Sequence, residues 1–142
     1  MKEQHYKNHR QLVPGYHGLT LLLLIGFVIA TVRNFIYHSE ADLYNSSLLV
    51  LAALLMGCLY YYTRTFALKE QDRAIRAEEN LRYFILTGKR LDPRITTRQV
   101  IALRFAGDEE FPALAQRAAD EQLSADAIKK AIRNWRADHY RV

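Results

Sequence analysis

The side chains with the clearest capacity for chemistry in this sequence are its histidines, because an imidazole can ligate a metal or a haem. His5 and His9 are four residues apart, a spacing that places two ligands on one face of a helix. The remaining ligands would have to come from elsewhere in the chain by folding back. His17 stands near the start of an apolar segment and could ligate a haem in a dimer, but the second apolar segment has no histidine to oppose it. We therefore expect no metal and no cofactor. The alternative is an oligomeric redox or metal/haem-binding membrane subunit that uses these N-terminal histidines.

Other catalytic arrangements are missing from the sequence. No Ser/His/Asp or Cys/His pattern stands out, and no glycine-rich phosphate loop is present. The single Cys58 allows neither an intramolecular disulfide nor a zinc cluster of cysteines. The apolar segments contain no carboxylate, which argues against a proton or ion pathway. We therefore expect a protein that is not an enzyme and has no catalytic residues.

Three basic residues near the C-terminus, Lys129, Arg133 and Arg136, are predicted to share a face of the last helix. Such a face can simply be solvated, since positive charge suits a helix C-terminus. It can also contact anionic headgroups or an acidic partner, at about 1 kcal/mol per basic residue near a charged leaflet. Acidic residues are interspersed nearby, so nucleic acid is not an expected partner.

The aromatic and charged residues of the C-terminal tail predict that it folds back. Trp135 completes an apolar stripe at helical spacing, so we expect its side chain to be buried in the core of the domain. Arg136 or Arg141 should then lie near an acidic residue of the preceding long helix, such as Glu78 or Glu79.

The sequence contains two apolar segments that are long enough to cross a membrane. Residues 11–32 and 43–63 contain no Asp, Glu, Lys or Arg, and each run reaches the roughly 20 residues that a bilayer core requires. Tyrosines flank both runs, as they do at the headgroup level of membrane helices. A buried soluble hairpin would usually carry a polar stripe, and a signal peptide would carry a cleavage site. We predict a transmembrane hairpin with spans at about 16–36 and 44–63.

The charges that flank these spans predict their orientation. Basic residues stand on both outer sides, and the connecting loop carries only Glu40 and Asp42. The positive-inside bias therefore places both termini in the cytoplasm. The flanking basic residues are Lys2, Lys7, Arg10, Arg64, Lys69, Arg73 and Arg76.

Small residues at a four-residue spacing indicate where the two spans could pack. Gly26 and Ala30 form such a pair in the first span, and Ala53 and Gly57 form another in the second. Small residues let helix backbones approach closely in lipid. The two pairs could pack on each other or mark faces for another subunit.

The second span should continue out of the membrane as a helical stalk to about Thr87, since no glycine or proline occurs between Gly57 and Gly88. An apolar stripe in its distal part should support the following helices, and acidic–basic pairs at i,i+4 should stabilise it. The stripe comprises Ala74, Ala77, Leu81 and Phe84, and the pairs are Asp72/Arg76 and Glu78/Arg82.

Three short helices are predicted after the stalk, from their caps. Thr96 and Gln99 form a capping box for the first, which should end near Gly107. Asp108 should cap the second helix and Ser124 the third. The predicted fold is all-α: an N-terminal cytoplasmic or interfacial segment over residues 1–15, a transmembrane hairpin over 16–63, and a cytoplasmic stalk with a small helical domain over 64–142.

Four blocks in order resemble a family of small bacterial integral membrane proteins classed as a domain of unknown function. They are "EQHYKNHRQLVPGYH", "RTFALKEQDRAIRAEENLR", "IALRFAGDEEFPALAQRA" and "AIKKAIRNWRADHYRV". The resemblance implies a bacterial inner-membrane location and the two-span layout, and it brings no reaction or cofactor. We therefore expect a membrane-anchored scaffold or accessory subunit. Its partners would be the lipid bilayer and either another membrane or cytoplasmic protein or a second copy of itself.

Overall fold

A computed structural model of the chain describes residues 4–6 and 12–138, and for residues 38–41 it describes the backbone alone. These residues form two compact units, one over residues 12–67 and the other over residues 4–6 and 68–138. The described residues contain no β-strand, which confirms the prediction of an all-α protein. A π-helical stretch, Pro14–Thr20, leads into α1, Leu21–Thr87, and α2, α3 and α4 follow at Thr97–Leu103, Phe111–Asp120 and Ala125–Ala131.

The unit over residues 12–67 is built from two helical arms. The backbone leaves the helical region at Asp42, with φ −150° and ψ 49°, so α1 bends there. The Asp42 carboxylate accepts a hydrogen bond from the Asn45 side chain at 2.7 Å, which satisfies a polar group where the second arm starts. The first arm is Pro14–Tyr37, and the second is the part of α1 from Asp42 to residue 67.

The two arms fold back on each other within this unit. The Asn34 side-chain amide donates to Ser46 Oγ at 3.1 Å near the bend. At the other end, the Tyr16 hydroxyl donates to the Tyr60 carbonyl at 2.6 Å. These contacts make the arms an antiparallel helical pair.

Both arms are long and apolar enough to cross a membrane, judged by length and composition. Their mean hydropathies over the most apolar stretch are 2.1 and 1.7, and only 6% and 11% of those stretches is buried. A core helix of a soluble protein is mostly buried by its neighbours. The apolar side chains of this unit are instead directed away from protein.

The second unit has its own hydrophobic core, formed where α2, α3 and α4 pack with the end of α1. Ile75 is the buried residue that α1 contributes to this core, and Phe105 and Phe111 are the largest buried side chains. The other members of the core are Ile95, Val100, Ala102, Leu103, Ala106, Leu114, Ala115, Ala118, Ala119, Ile128 and Ile132.

Several predicted helix ends are confirmed. The Thr96 and Gln99 side chains each accept from the other's backbone N–H, which completes the capping box of α2. The Ser124 hydroxyl accepts from the Ala127 N–H at 3.1 Å and caps α4. Gly88, at φ 69°, ends α1 in the left-handed conformation that glycine adopts at low cost.

The predicted cap of α3 is wrong. This helix begins after Glu110, which makes no side-chain cap, and Pro112 lies in its first turn. Asp108 instead accepts a hydrogen bond from Arg82 Nε at 2.7 Å. The helices α2 and α4 end before the positions that the sequence predicted, α2 at Leu103 and α4 at Ala131.

The predicted packing face of α1 is also wrong. Leu81 and Phe84 are 60% and 53% exposed, and Ala74 and Ala77 are exposed as well. The buried face is formed by Ile75 and Glu79, with Arg82 and Tyr83 half-buried beside them. Arg82 can occupy this face because the loop after α2 provides partners for its guanidinium at Ala106 and Asp108. An apolar stripe in the sequence cannot reveal such partners.

Candidate functional site

The C-terminal segment, residues 132–138, lies along the loop between α2 and α3. Ile132 has an extended backbone, with φ −66° and ψ 126°, so the chain leaves the helical path after α4. The Gly107 N–H donates to the Asn134 carbonyl at 2.9 Å, and the Arg136 N–H donates to the Phe105 carbonyl at 2.8 Å. These bonds pair the segment antiparallel to the loop, in an isolated bridge between Ala106 and Trp135.

Glu110 fixes the start of this segment. Its carboxylate accepts from the Arg133 N–H and from the Asn134 N–H, both at 3.1 Å. Two N–H groups that a longer helix would have used internally are thereby satisfied by a side chain. This is the physical reason why α4 ends before the apolar pattern of the sequence does.

Trp135 packs on the core from its edge. Its ring centroid lies 5.0 Å from that of Phe105, and the indole is half-buried. The prediction that the tail folds back is confirmed, but the expectation of a fully buried tryptophan on the last helix is wrong. Because Trp135 lies in an extended segment beyond α4, one part of its ring contacts the core and the rest is accessible.

A buried ion network connects α1 to the same loop. Arg82 Nη1 lies 2.9 Å from Glu79 Oε2, and these side chains are only 11% and 7% exposed. Arg82 also donates to the Ala106 carbonyl at 2.6 Å, and its guanidinium lies 4.5 Å from the centre of the Phe111 ring. The sequence predicted an Arg82 pair with Glu78, one position away on the exposed side. The structure therefore corrects the partner and shows that the pair is buried.

The tail joins this network at its margin. Arg136 Nη1 lies 3.9 Å from Glu79 Oε1, as predicted for Arg136 and an acidic residue of α1. The Arg136 side chain is 55% exposed, so this pair contributes little to stability. Its guanidinium remains available to a second anion. Arg141, the other predicted partner, lies outside the described residues.

A surface cavity of about 790 Å³ borders the C-terminal segment. Guanidinium groups, an indole and a carboxylate surround it, which is a mixture typical of a protein-docking surface. No nucleophile–base arrangement is apparent among its lining residues. They are Gln4, His5, Gly107, Asp108, Arg133, Asn134, Trp135, Arg136 and Ala137.

The described N-terminal residues, 4–6, belong to the same unit as the cavity. Gln4 is 8% exposed, and its side-chain oxygen accepts from the Asp138 N–H at 2.7 Å. The Tyr6 hydroxyl donates to Asp126 at 2.5 Å, and this bond raises the pKa of Tyr6 above its ordinary value. The amphipathic patterns of the sequence gave no indication of this contact, because it depends on individual polar side chains.

The three basic residues predicted to share a helix face do not share one. Lys129 is half-buried in α4, whereas Arg133 and Arg136 are exposed in the extended segment after it. The correction follows from the early end of α4. Arg133 and Arg136 are brought together at the cavity instead.

The histidines whose side chains the structure describes, His5 and His17, belong to different units. His5 borders the cavity, His9 lies outside the described residues, and His17 Nδ1 lies 3.2 Å from the Val13 carbonyl. His17 also packs edge-on against Tyr16, with ring centroids 5.2 Å apart. Within the described part of the chain, no three His, Cys, Asp or Glu side chains are grouped so as to hold a metal ion.

Of the four small residues predicted to pack, the helical pair buries one, Ala53. Ala53 is 5% exposed, together with Thr31 and Ser46 at 4% and 2%. Gly26 and Ala30 are exposed, so Ala53 faces protein and the small pair of the first arm does not. Gly57 is half-buried, and a Cβ added to it or to Gly26 would meet no atom within 4 Å.

Tyrosines close the end of the pair remote from the bend. The Tyr16 and Tyr60 rings stack with centroids 4.6 Å apart and planes 8° from parallel. Each hydroxyl donates to the other residue's carbonyl, at 2.6 and 3.2 Å. The sequence indicated these tyrosines only as interfacial anchors, and their mutual contact depends on the register of the two arms.

Comparison with known families gives one match, to a family of unknown function, DUF6526, over residues 1–142. The match covers the whole chain, so the protein belongs to this family. No curated protein and no solved structure matches it. The expected membership of a family of unknown function is thereby confirmed.

Proposed function

We propose that this is an integral membrane protein of the bacterial inner membrane that is not an enzyme. Its two apolar arms cross the bilayer, with both termini in the cytoplasm. Its helical unit docks a partner protein at the cytoplasmic face and serves as a scaffold or accessory subunit. The observation that supports the membrane assignment is the large apolar surface of the arms, which has little protein cover.

The physical argument is one of solvation. A soluble monomer rarely exposes contiguous apolar patches larger than a few hundred Å². Leu22, Ile29 and Leu54 are 68%, 62% and 63% exposed, and similar side chains surround the arms along most of their length. Hydrocarbon solvates such a surface. Several polar side chains of the arms have partners within them, since Thr20, Thr31 and Ser47 donate to nearby carbonyls and Asn34 donates to Ser46.

The docking role is supported by the geometry of the C-terminal segment. Its backbone is held by the Phe105 and Asn134 hydrogen bonds, so Arg133, Trp135 and Arg136 are presented in an ordered arrangement. Tryptophan and arginine are the residue types that most often anchor protein interfaces. An acidic and partly apolar partner would satisfy both side-chain classes.

Membrane topology is tested with single cysteines in a Cys58→Ser background. An impermeant maleimide added to intact cells with a permeabilised outer membrane should label Tyr44→Cys, near the bend. It should label Lys89→Cys only after the inner membrane is opened. Labelling of Lys89→Cys in intact cells, or release of the chain from membranes by alkaline carbonate, would refute the proposal.

Partner docking is tested by charge reversal at the cavity. Affinity purification in mild detergent of Arg133→Glu and Arg136→Glu chains should lose a partner that the unchanged chain retains. Arg117→Glu is the matched control, because Arg117 is exposed on α3 and pairs locally with Glu121. Equal recovery of the same companions by all three variants would exclude the cavity as the docking site.

A further inference from the structure

The side of α1 opposite its packed face carries an uncovered apolar stripe. Residues advance by about 100° per position in a helix, so Ala74, Ala77, Leu81 and Phe84 share one face, opposite the face of Ile75 and Glu79. We call these four residues the outer stripe. Leu81 and Phe84 are 60% and 53% exposed, and Ile85 beside them is 72% exposed, whereas the core of this unit takes only Ile75 and part of Tyr83 from α1.

The spacing of the outer stripe is that of a coiled-coil seam. Its residues are separated by three, four and three positions, so they occupy successive a and d positions of two heptads. The alanines allow close approach of a second helix in the first heptad. Leu81 and Phe84 supply larger apolar side chains in the next.

Charged residues flank the outer stripe in a pattern that selects the partner and its direction. Arg73 precedes the stripe at a g position, and Glu78 follows its second residue at an e position. In a parallel pair, a g residue meets the e residue five positions further along in the other helix. Arg73 of one copy would thus meet Glu78 of the other, twice by symmetry. An antiparallel pair would bring like charges together.

From this arrangement we infer that α1 pairs in parallel with α1 of a second copy of the chain, through the outer stripe. The inference rests on the proposed membrane function, because copies inserted in one membrane with one topology present their helices in the same direction. Arg73 is free to form such a contact at little cost. Its Nη1 lies 3.5 Å from Glu70 Oε1, and the side chains of Arg73 and Glu70 are 80% and 72% exposed, so this ion pair is weak.

The pairing is tested by cysteine cross-linking of the full chain in its native membranes. In a Cys58→Ser background, Leu81→Cys should give a disulfide-linked dimer on mild oxidation. Lys69→Cys is the control, since Lys69 is exposed on α1 but lies outside the stripe. A dimer with Lys69→Cys and none with Leu81→Cys would overturn the assignment of the interface.

Charge reversal tests the direction of the pair. Arg73→Glu and Glu78→Arg should each weaken the dimer in detergent by about fivefold, because two symmetric contacts become repulsive. The double variant should regain the affinity of the unchanged chain. Failure of the double variant to recover would overturn the parallel arrangement.

The stripe itself is tested by Leu81→Asp. This variant should be monomeric while the unfolding midpoint followed by Trp135 fluorescence stays unchanged, since Leu81 takes no part in the core. A dimer that persists in Leu81→Asp, or a cross-link from Leu81→Cys to a different polypeptide, would refute self-pairing. In either case, membrane retention of the chain would show that the proposed membrane function is unaffected.

Discussion

Arg82 and Glu79 form an ion pair that is almost excluded from solvent, with Nη1 and Oε2 2.9 Å apart. The guanidinium also contacts Asp108 and the Ala106 carbonyl, so it joins α1 to the loop on which the C-terminal segment rests. Breaking a buried pair leaves a charge in a medium that solvates it poorly. The geometry of the cavity therefore depends on a residue that does not line it.

Arg82→Met should destabilise the helical unit by about 3–5 kcal/mol, because it leaves the Glu79 carboxylate buried without its main partner. The measurement is urea unfolding of the full chain in detergent, followed by the fluorescence of Trp135, the single tryptophan.

The control is Arg98→Met, the same substitution at an exposed arginine of α2, which should change the stability by no more than about 0.5 kcal/mol. The double variant Glu79→Gln/Arg82→Met should recover part of the loss. An Arg82→Met chain as stable as the Arg98→Met chain would mean that the pair has no structural role.

The ion pairs that Arg94 forms with Asp92 and Asp120 should make the stability of the fold depend on pH. Hydrogen bonds from Arg94 lower the pKa of Asp92, and bonds from Gln116 and then Arg94 lower that of Asp120. A lowered folded-state pKa stabilises the fold above the ordinary carboxyl pKa, and this contribution is lost as the pH falls through the folded value. Arg94→Gln should raise both pKa values, that of Asp92 more, as measured by NMR titration of the carboxyl carbons.

Arg117→Gln is the matched control for this titration, because Arg117 pairs with Glu121 and contacts neither aspartate. Its Asp92 pKa should equal that of the unchanged chain. An Asp92 pKa that stays low in Arg94→Gln would show that another group depresses it.

The packing of the two arms should be disturbed by a larger side chain at position 53 but not by one at position 26. Ala53 is buried between the arms, so Ala53→Leu should cost about 1–3 kcal/mol by overpacking. Gly26→Leu adds a side chain where no atom lies within 4 Å of the new Cβ. The measurement is the rate of disulfide formation between cysteines that replace Asn34 and Ser46, in a Cys58→Ser background.

Ala53→Leu should slow this disulfide, and Gly26→Leu should leave it unchanged. A slower disulfide in Gly26→Leu alone would restore the first arm's small pair as the packing site of the hairpin.

Local rules predicted the features of this fold that depend on neighbouring residues. The caps at Thr96 and Ser124 and the stop at Gly88 each involve groups within four positions, so their sequence signals were sufficient. The packed face of α1 was not predictable in this way. Arg82 is buried because it bonds Ala106 and Asp108, which are 24 and 26 positions away.

The candidate site failed prediction for a related reason. The apolar period of α4 continues through Ile132 to Trp135, yet the helix ends at Ala131. Glu110, which is distant in sequence, accepts the N–H groups of Arg133 and Asn134 and draws the chain into an extended path. Periodicity therefore identified the apolar residues but assigned them to the wrong element.

Trp135 distinguishes a core role from a docking role. Its indole packs on Phe105 but is only half-buried, so Trp135→Ala should cost about 2 kcal/mol, below the roughly 3–5 kcal/mol of a fully buried tryptophan. The measurement is the rate of limited proteolysis after residue 87, with melting monitored in parallel. Trp135→Phe, which keeps an aromatic contact to Phe105, should lose less than half of that stability.

If Trp135→Phe also loses the companion that the unchanged chain retains in detergent, the indole contacts a partner directly. If Trp135→Ala melts with the full loss of a core tryptophan, the ring is more enclosed than the exposed edge indicates, and the docking role of Trp135 is refuted.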